Sequence, residues 1–213
     1  MTPAKNTHPY HYSQDKNILQ KIIDFAVPIL LFWVYFNYYN FGKITPSEMI
    51  KTSGLLTITL LSLTLIIGPI CKLFPSWDFL KTHRKFWGIL SFLAALIHVA
   101  IIFMNYYKFD LLKFVDFANP KYPGILAGIL SLAILLLVTL TSNKLALKSL
   151  SPNIWKIIQT TSYLALILAV AHFYIVESVD GVLTIKRLAG QLTFGFATLT
   201  VLLRFLVLFI PRR

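Results

Sequence analysis

The sequence predicts an all-α integral membrane protein, a six-transmembrane-helix bundle with both termini on the cytoplasmic side. Three observations carry this. Of 213 residues, 57% are hydrophobic and 13% charged, too apolar for a soluble domain that must cover itself with polar surface. Six apolar runs have the length of about 20 residues that crosses roughly 30 Å of hydrocarbon. The lysines and arginines divide unevenly between alternate sides of those runs.

The runs are 22–41, 52–70, 86–104, 122–141, 154–176 and 188–210. Residues 1–21 form a polar tail with no A-x-A-like cleavage site, so the first run is expected to stay in the mature chain. Short loops, with no Gly/Ser-rich linker, make 22–210 one domain and leave 211–213 as a cytoplasmic end. Any folded redox partner is therefore expected on another polypeptide.

Lys5, Lys16, Lys21, Lys72, Lys81, Arg84, Lys85, Lys144, Lys148, Lys156, Arg204, Arg212 and Arg213 fall on one side. Lys43, Lys51, Lys108, Lys113, Lys121, Lys186 and Arg187 fall on the other. The positive-inside rule then puts the termini in the cytoplasm of a multi-pass protein in a bacterial inner membrane. The net charge of +12 is scattered between apolar runs rather than gathered in a stripe, which excludes nucleic acid as a partner and leaves the lipid bilayer. Tyr35, Tyr38, Tyr39, Tyr106, Tyr107 and Tyr174 are expected as an interfacial belt at the outer helix ends. Gly54, Gly88, Gly128, Gly190, Gly195 and Ala197 are expected at close helix contacts.

Cys71 is the single cysteine, so any metal must be held by nitrogen or oxygen. Of five histidines, His98 and His172 lie inside predicted spans, where an ionisable side chain is costly and by default marks a site. The competing reading is a neutral histidine that fills the bundle by hydrogen-bonding a neighbouring helix. At 1.5 Å per residue, His98 lies about 18 Å beyond Phe86 and His172 about 27 Å beyond Ile154, so both sit in the outer half. Ala94 and Ala95 precede His98, and Ala169 precedes His172, on the same helix faces. Such a face clears room for a flat group. Two neutral imidazoles from facing helices suit the axial positions of a haem iron, and an iron filled on both sides suits electron transfer.

His8 and His11 read as solvated tail residues. His83, beside Arg84 and Lys85, reads as a surface residue in a basic cluster near lipid phosphates; the alternative is a cluster holding haem propionates, a flavin phosphate or a quinone headgroup. Gln159 either bonds an adjacent helix or lines a cofactor pocket. Asp24 and Glu177 read as interfacial. No catalytic triad, Walker loop, GxGxxG or paired intramembrane carboxylate is present.

Four stretches resemble the ferric-reductase-like transmembrane domain family, over roughly residues 42–205. They are Gly42…Pro46…Ile50…Gly54…Pro69; Arg84-Lys85-Phe86-Trp87-Gly88 with His98 ten residues after the glycine; Thr141-Ser142…Trp155-Lys156; and Tyr163…His172. Within the family the chain is most similar to the haem-binding subunits of protein-methionine-sulfoxide reductase systems. The resemblance implies a b-type haem electron-transfer subunit of an oxidoreductase system, with His98 and His172 as iron ligands. It implies a cytoplasmic flavin reductase or quinol as donor and an extracytoplasmic molybdoenzyme that reduces methionine sulfoxide as acceptor. The alternatives are a stand-alone ferric-reductase-like cytochrome b with another outer acceptor, and a haem-free scaffold or transporter. One departure stands out. The family pattern W-x-x-L-H has a histidine where this chain has Gln159, and Arg84 stands near where two-haem members have another. One haem, in the outer half, is therefore expected. FMN or a quinone near Arg84, Lys85 and Gln159 would bridge the inner half, and His83 would serve as a replacement ligand only if the helix start shifts.

Overall fold

The computed structural model describes residues 17–185 and 187–210. The expectations for Lys5, His8, His11, Lys16, Lys186, Arg212 and Arg213 lie outside the described residues. Among the described residues, six helices are long and apolar enough to cross a membrane, spanning Ile18–Tyr39, Pro46–Leu73, Pro75–Asn105, Tyr122–Leu140, Pro152–Glu177 and Leu188–Leu208. The protein is an all-α integral membrane bundle.

Helix α1 (Ile18–Val34) starts four residues before the expected run because Asn17 and Gln20 form a capping box: the Asn17 side chain accepts from the Gln20 amide, and the Gln20 side chain accepts from the Asn17 amide. It continues into a π-helical turn, Tyr35–Tyr39. Helix α2 (Pro46–Leu73) starts six residues early, with Thr45 as cap, Pro46 in the first turn and Glu48 at the positive end of the helix dipole. A 3-10 segment, Pro75–His83, leads into α3 (Arg84–Asn105). A loop containing a short 3-10 turn, Leu111–Val115, precedes α4 (Tyr122–Leu140). The short α5 (Lys144–Ser149) lies before α6 (Pro152–Thr160) and α7 (Ser162–Glu177), which together make the fifth span. The break falls at Thr161, where the Thr160, Thr161 and Ser162 hydroxyls bond to carbonyls of the preceding turn. A two-residue hairpin, β1 (Ser178–Val179) with β2 (Val182–Leu183), leads to α8 (Leu188–Leu208).

Helix α2 is the axle of the bundle. In its apolar window 72% of residues are buried, against 28% or less in the other five spans. Its many hydroxyls permit this, because Thr57, Ser62 and Thr64 each bond the carbonyl four residues back, at 2.7–2.8 Å, and carry no unmet donor into the core. The central core joins Leu61 and Leu65 of α2 to Phe92, Leu135, Ala165, Leu166 and Ala197. Helix α1, by contrast, buries only Asp24 and Pro28 within its length and turns Ile22, Phe25, Ile29 and Trp33 outward, a lipid-facing pattern.

Tyr35 and Tyr39 are not belt residues; each is 6% exposed. The Tyr35 hydroxyl bonds those of Thr59 and Thr193 at 2.6 and 2.7 Å, tying α1 to α2 and α8. A phenol can turn inward where two hydroxyls await it. Tyr38, Tyr106 and Tyr174 remain exposed, at 42% or more.

Candidate functional site

His98 on α3 and His172 on α7 face each other, with ring centroids 6.2 Å apart and planes at 89°. Each ring is tethered at one nitrogen. His98 Nδ1 donates to the Ile50 carbonyl at 2.9 Å and His172 Nδ1 to the Gly124 carbonyl at 2.8 Å. A carbonyl oxygen only accepts, so Nδ1 carries the hydrogen and the neutral ring keeps a lone pair on Nε2. A backbone tether on one nitrogen is the arrangement that fixes the tautomer and aims the other at a metal.

Two glycines make the rings fit. A Cβ on Gly54 would lie 3.2 Å from the His98 ring, and one on Gly128 would lie 2.9 Å from His172 Nδ1. The sequence singled out both glycines as packing residues but gave no sign that their neighbours are the two histidines. The cleft around the pair encloses about 1090 Å³ when the open solvent at its mouth is counted. Its walls come from α2, α3, α4 and α7 and are mostly apolar, with Ala95 and Ala169 among them. The alanine expectation holds for these two; Ala94 is buried elsewhere in the packing. Lys51, Tyr107 and Glu177 are partly exposed lining residues and mark the mouth, while Tyr39 lines the cleft as a buried side chain. Burial and the nearby Asp116 carboxylate raise the pKa of Tyr107, so its phenol stays neutral. Lys51 and Glu177, read from sequence as a topology charge and an interfacial residue, are cleft residues.

The other end of the bundle differs from expectation. His83 is 1% exposed and Asp24 4% exposed, and His83 Nδ1 lies 2.7 Å from Asp24 Oδ1. The His83 ring stacks on Trp87 with centroids 5.1 Å apart, and Trp87 Nε1 donates to the Asp24 carbonyl at 3.3 Å. His83 is therefore no surface residue, and Asp24 is enclosed by protein. Burying either alone would be costly, and each is satisfied by the other. Among the described residues, no ring contact joins His83 to another histidine, and no group of three or more metal-ligating side chains occurs.

Arg84, Lys85 and Gln159 do not line the histidine cleft. Arg84 Nε donates to the Thr64 carbonyl at 3.1 Å. The Gln159 amide nitrogen reaches the Val138 carbonyl and the Thr141 and Ser142 hydroxyls at 3.1–3.3 Å. Of the two readings of Gln159, the bond to an adjacent helix is the one the geometry displays: it closes the C-terminal turn of α4, where carbonyls lack intrahelical donors.

Among known proteins, a curated relative in Azospira oryzae, the protein-methionine-sulfoxide reductase heme-binding subunit MsrQ, is 29% identical over 123 residues, 56% of this chain and 51% of that protein. The chain thus aligns with about half the length of that relative. Residues 53–170 match the family described as Ferric reductase like transmembrane component, a stretch that contains His98 and stops two residues before His172. Matched over more than half of its length, this chain belongs to the ferric-reductase-like transmembrane family.

Proposed function

We propose that the chain is a membrane electron-transfer subunit that holds one b-type haem between His98 and His172. The observation that carries this is the pair of facing imidazoles, each tethered at Nδ1 and free at Nε2. The two rings are close enough, at 6.2 Å between centroids, to serve one bound group together. The apolar walls, with Ala95 and Ala169 among them, suit a flat macrocycle. His98 and His172 would hold the haem, which would supply a one-electron carrier when bound. The protein's own residues hold the rings in one orientation and keep water from the buried face.

A single haem is also what the closed half of the bundle favours. There Leu61, Leu65, Leu166 and Ala165 are each 2% exposed or less, and Tyr163 donates to the Leu65 carbonyl at 2.7 Å. Direct helix contacts there support the single-haem reading. The charge partition supports cytoplasmic termini in a bacterial inner membrane, which puts the cleft in the outer half. Electrons then enter at the cytoplasmic end from a flavin reductase or a quinol, with Arg84 and Lys85 as the basic groups that meet an FMN phosphate or quinone headgroup. They leave at the outer face for an acceptor, and the Azospira oryzae relative points to a protein-methionine-sulfoxide reductase.

The test is a dithionite-reduced minus oxidised spectrum with pyridine haemochrome stoichiometry on the unaltered protein, His98→Ala and His172→Ala. The expected result is one b haem per chain, absent from both variants while both stay monodisperse in detergent. No haem in protein made with ample haem supply overturns the proposal. Two haems per chain overturn the single-site reading.

A further inference from the structure

The cleft is charged only at its mouth, and unevenly. Among its lining residues, Lys51 on α2 is the one cation and Glu177 on α7 the one carboxylate. Lys51, Gly54, Leu55 and Ile58 all line the cleft, and their spacing makes them one stripe on α2. The ammonium stem therefore leaves α2 about 4.5 Å along the axis from Gly54, the residue that receives the His98 ring. Glu177 lies five residues beyond His172, about 7.5 Å along α7, which forms another wall of the cleft.

Lys51 is not committed elsewhere. Its ion pair with Glu48 is loose, at 3.8 Å, and its side chain is 38% exposed. The other Glu48 oxygen meets Arg187 at 3.2 Å, so Glu48 keeps a cation if Lys51 swings away. Resting on the haem reading above, the demand is clear. A b-type haem has two propionate carboxylates as its peripheral charges, and these cannot be buried unpaired among the apolar residues at the floor of the cleft. They must lie at the mouth, where a cation on one wall attracts them and a carboxylate on the other repels them.

We infer that Lys51 is the propionate anchor of the haem, and that Glu177 opposes it, so that the propionates turn toward α2. Reduction adds one electron to the haem, so the Lys51 charge favours the reduced state and the Glu177 charge the oxidised state. The two residues thus tune the potential in opposite directions.

The experiment compares the purified full chain with Lys51→Gln, Lys51→Arg and Glu177→Gln. It measures haem loss to excess apomyoglobin, the midpoint potential, and reconstitution with either haem or its dimethyl ester, which lacks free carboxylates. Lys51→Gln is expected to lose haem about fivefold to tenfold faster, the range of a partly exposed charge-assisted bond, and to lower the potential. Lys51→Arg should restore both, and Glu177→Gln should raise the potential. With the dimethyl ester, the unaltered chain and Lys51→Gln should release the cofactor at the same rate. If Lys51→Gln holds haem as well and at the same potential as the unaltered chain, the anchor is refuted while the axial histidines stand. An equal effect of Lys51→Gln on haem and its ester also refutes it, since packing alone would then explain the loss. If the unaltered chain binds no haem, the parent reading fails and this one with it.

Discussion

The two ends of the bundle treat histidine in opposite ways. At one end His98 and His172 each tether to a neutral backbone carbonyl and open onto a cleft. At the other, His83 is 1% exposed, pairs with a carboxylate and lies flat on Trp87. The residue type is the same; the second partner and the space around the ring differ. A carbonyl fixes the tautomer without neutralising a charge, which leaves a free nitrogen to do chemistry. A buried carboxylate pairs with its histidine to dock one helix against its neighbours, and that is what Asp24 does for α1.

That contrast can be broken most forcefully at the closed end. Asp24→Ala leaves a buried histidine without its partner and should cost about 3 kcal/mol of stability, read as a lower thermal midpoint in detergent. The haem spectrum of the folded fraction should not change. A spectrum that changes with Asp24 would mean the two ends are coupled and the comparison is wrong. Gly128→Ala tests the open end. Its Cβ would stand 2.9 Å from His172 Nδ1, so the ring must shift or lose its tether, at a cost of about 2 kcal/mol. Here the expected change is in haem content and in the axial-ligand signature by electron paramagnetic resonance. A normal signature would show that the ring has more freedom than the notch implies. The smallest effect belongs to Gln159→Ala, which removes the cap on α4 at about 1 kcal/mol and should leave both haem content and potential alone. Loss of reduction by a flavin or quinol donor in Gln159→Ala, with haem retained, would show that this residue serves a cofactor as well as the helix end.

Much of the architecture was legible in the chain. Apolar runs of membrane length mark all six spans because the bilayer demands both length and backbone self-satisfaction. Their starts were less legible: α2 begins at Pro46, in a polar turn that hydropathy passes over and cap chemistry explains. The two intramembrane histidines stood out for their cost at that depth. Their partners did not, because Ile50 and Gly124 contribute only backbone carbonyls, and a backbone group has no signature in the sequence. Lys51 was hidden for another reason. A lysine near a helix end looks the same whether it snorkels to lipid or overhangs a cleft.

The sequence alone determined the membrane class, the number of spans, and the absence of a histidine at position 159. Each depends on local chemistry: hydrophobic length, or the identity of a side chain. The tertiary structure decided which helix sits at the centre, since α4 has a mean hydropathy of 2.4 and α2 only 2.1, yet α2 is the buried one. It also decided that Asp24 and Tyr35 turn inward, that Gly54 and Gly128 serve the histidines, and that Lys51 shares the mouth with Glu177. In a bilayer, lipid and protein are equally apolar neighbours, so hydrophobicity cannot choose between them. That choice falls to packing shape and to the polar groups that must find one another across helices.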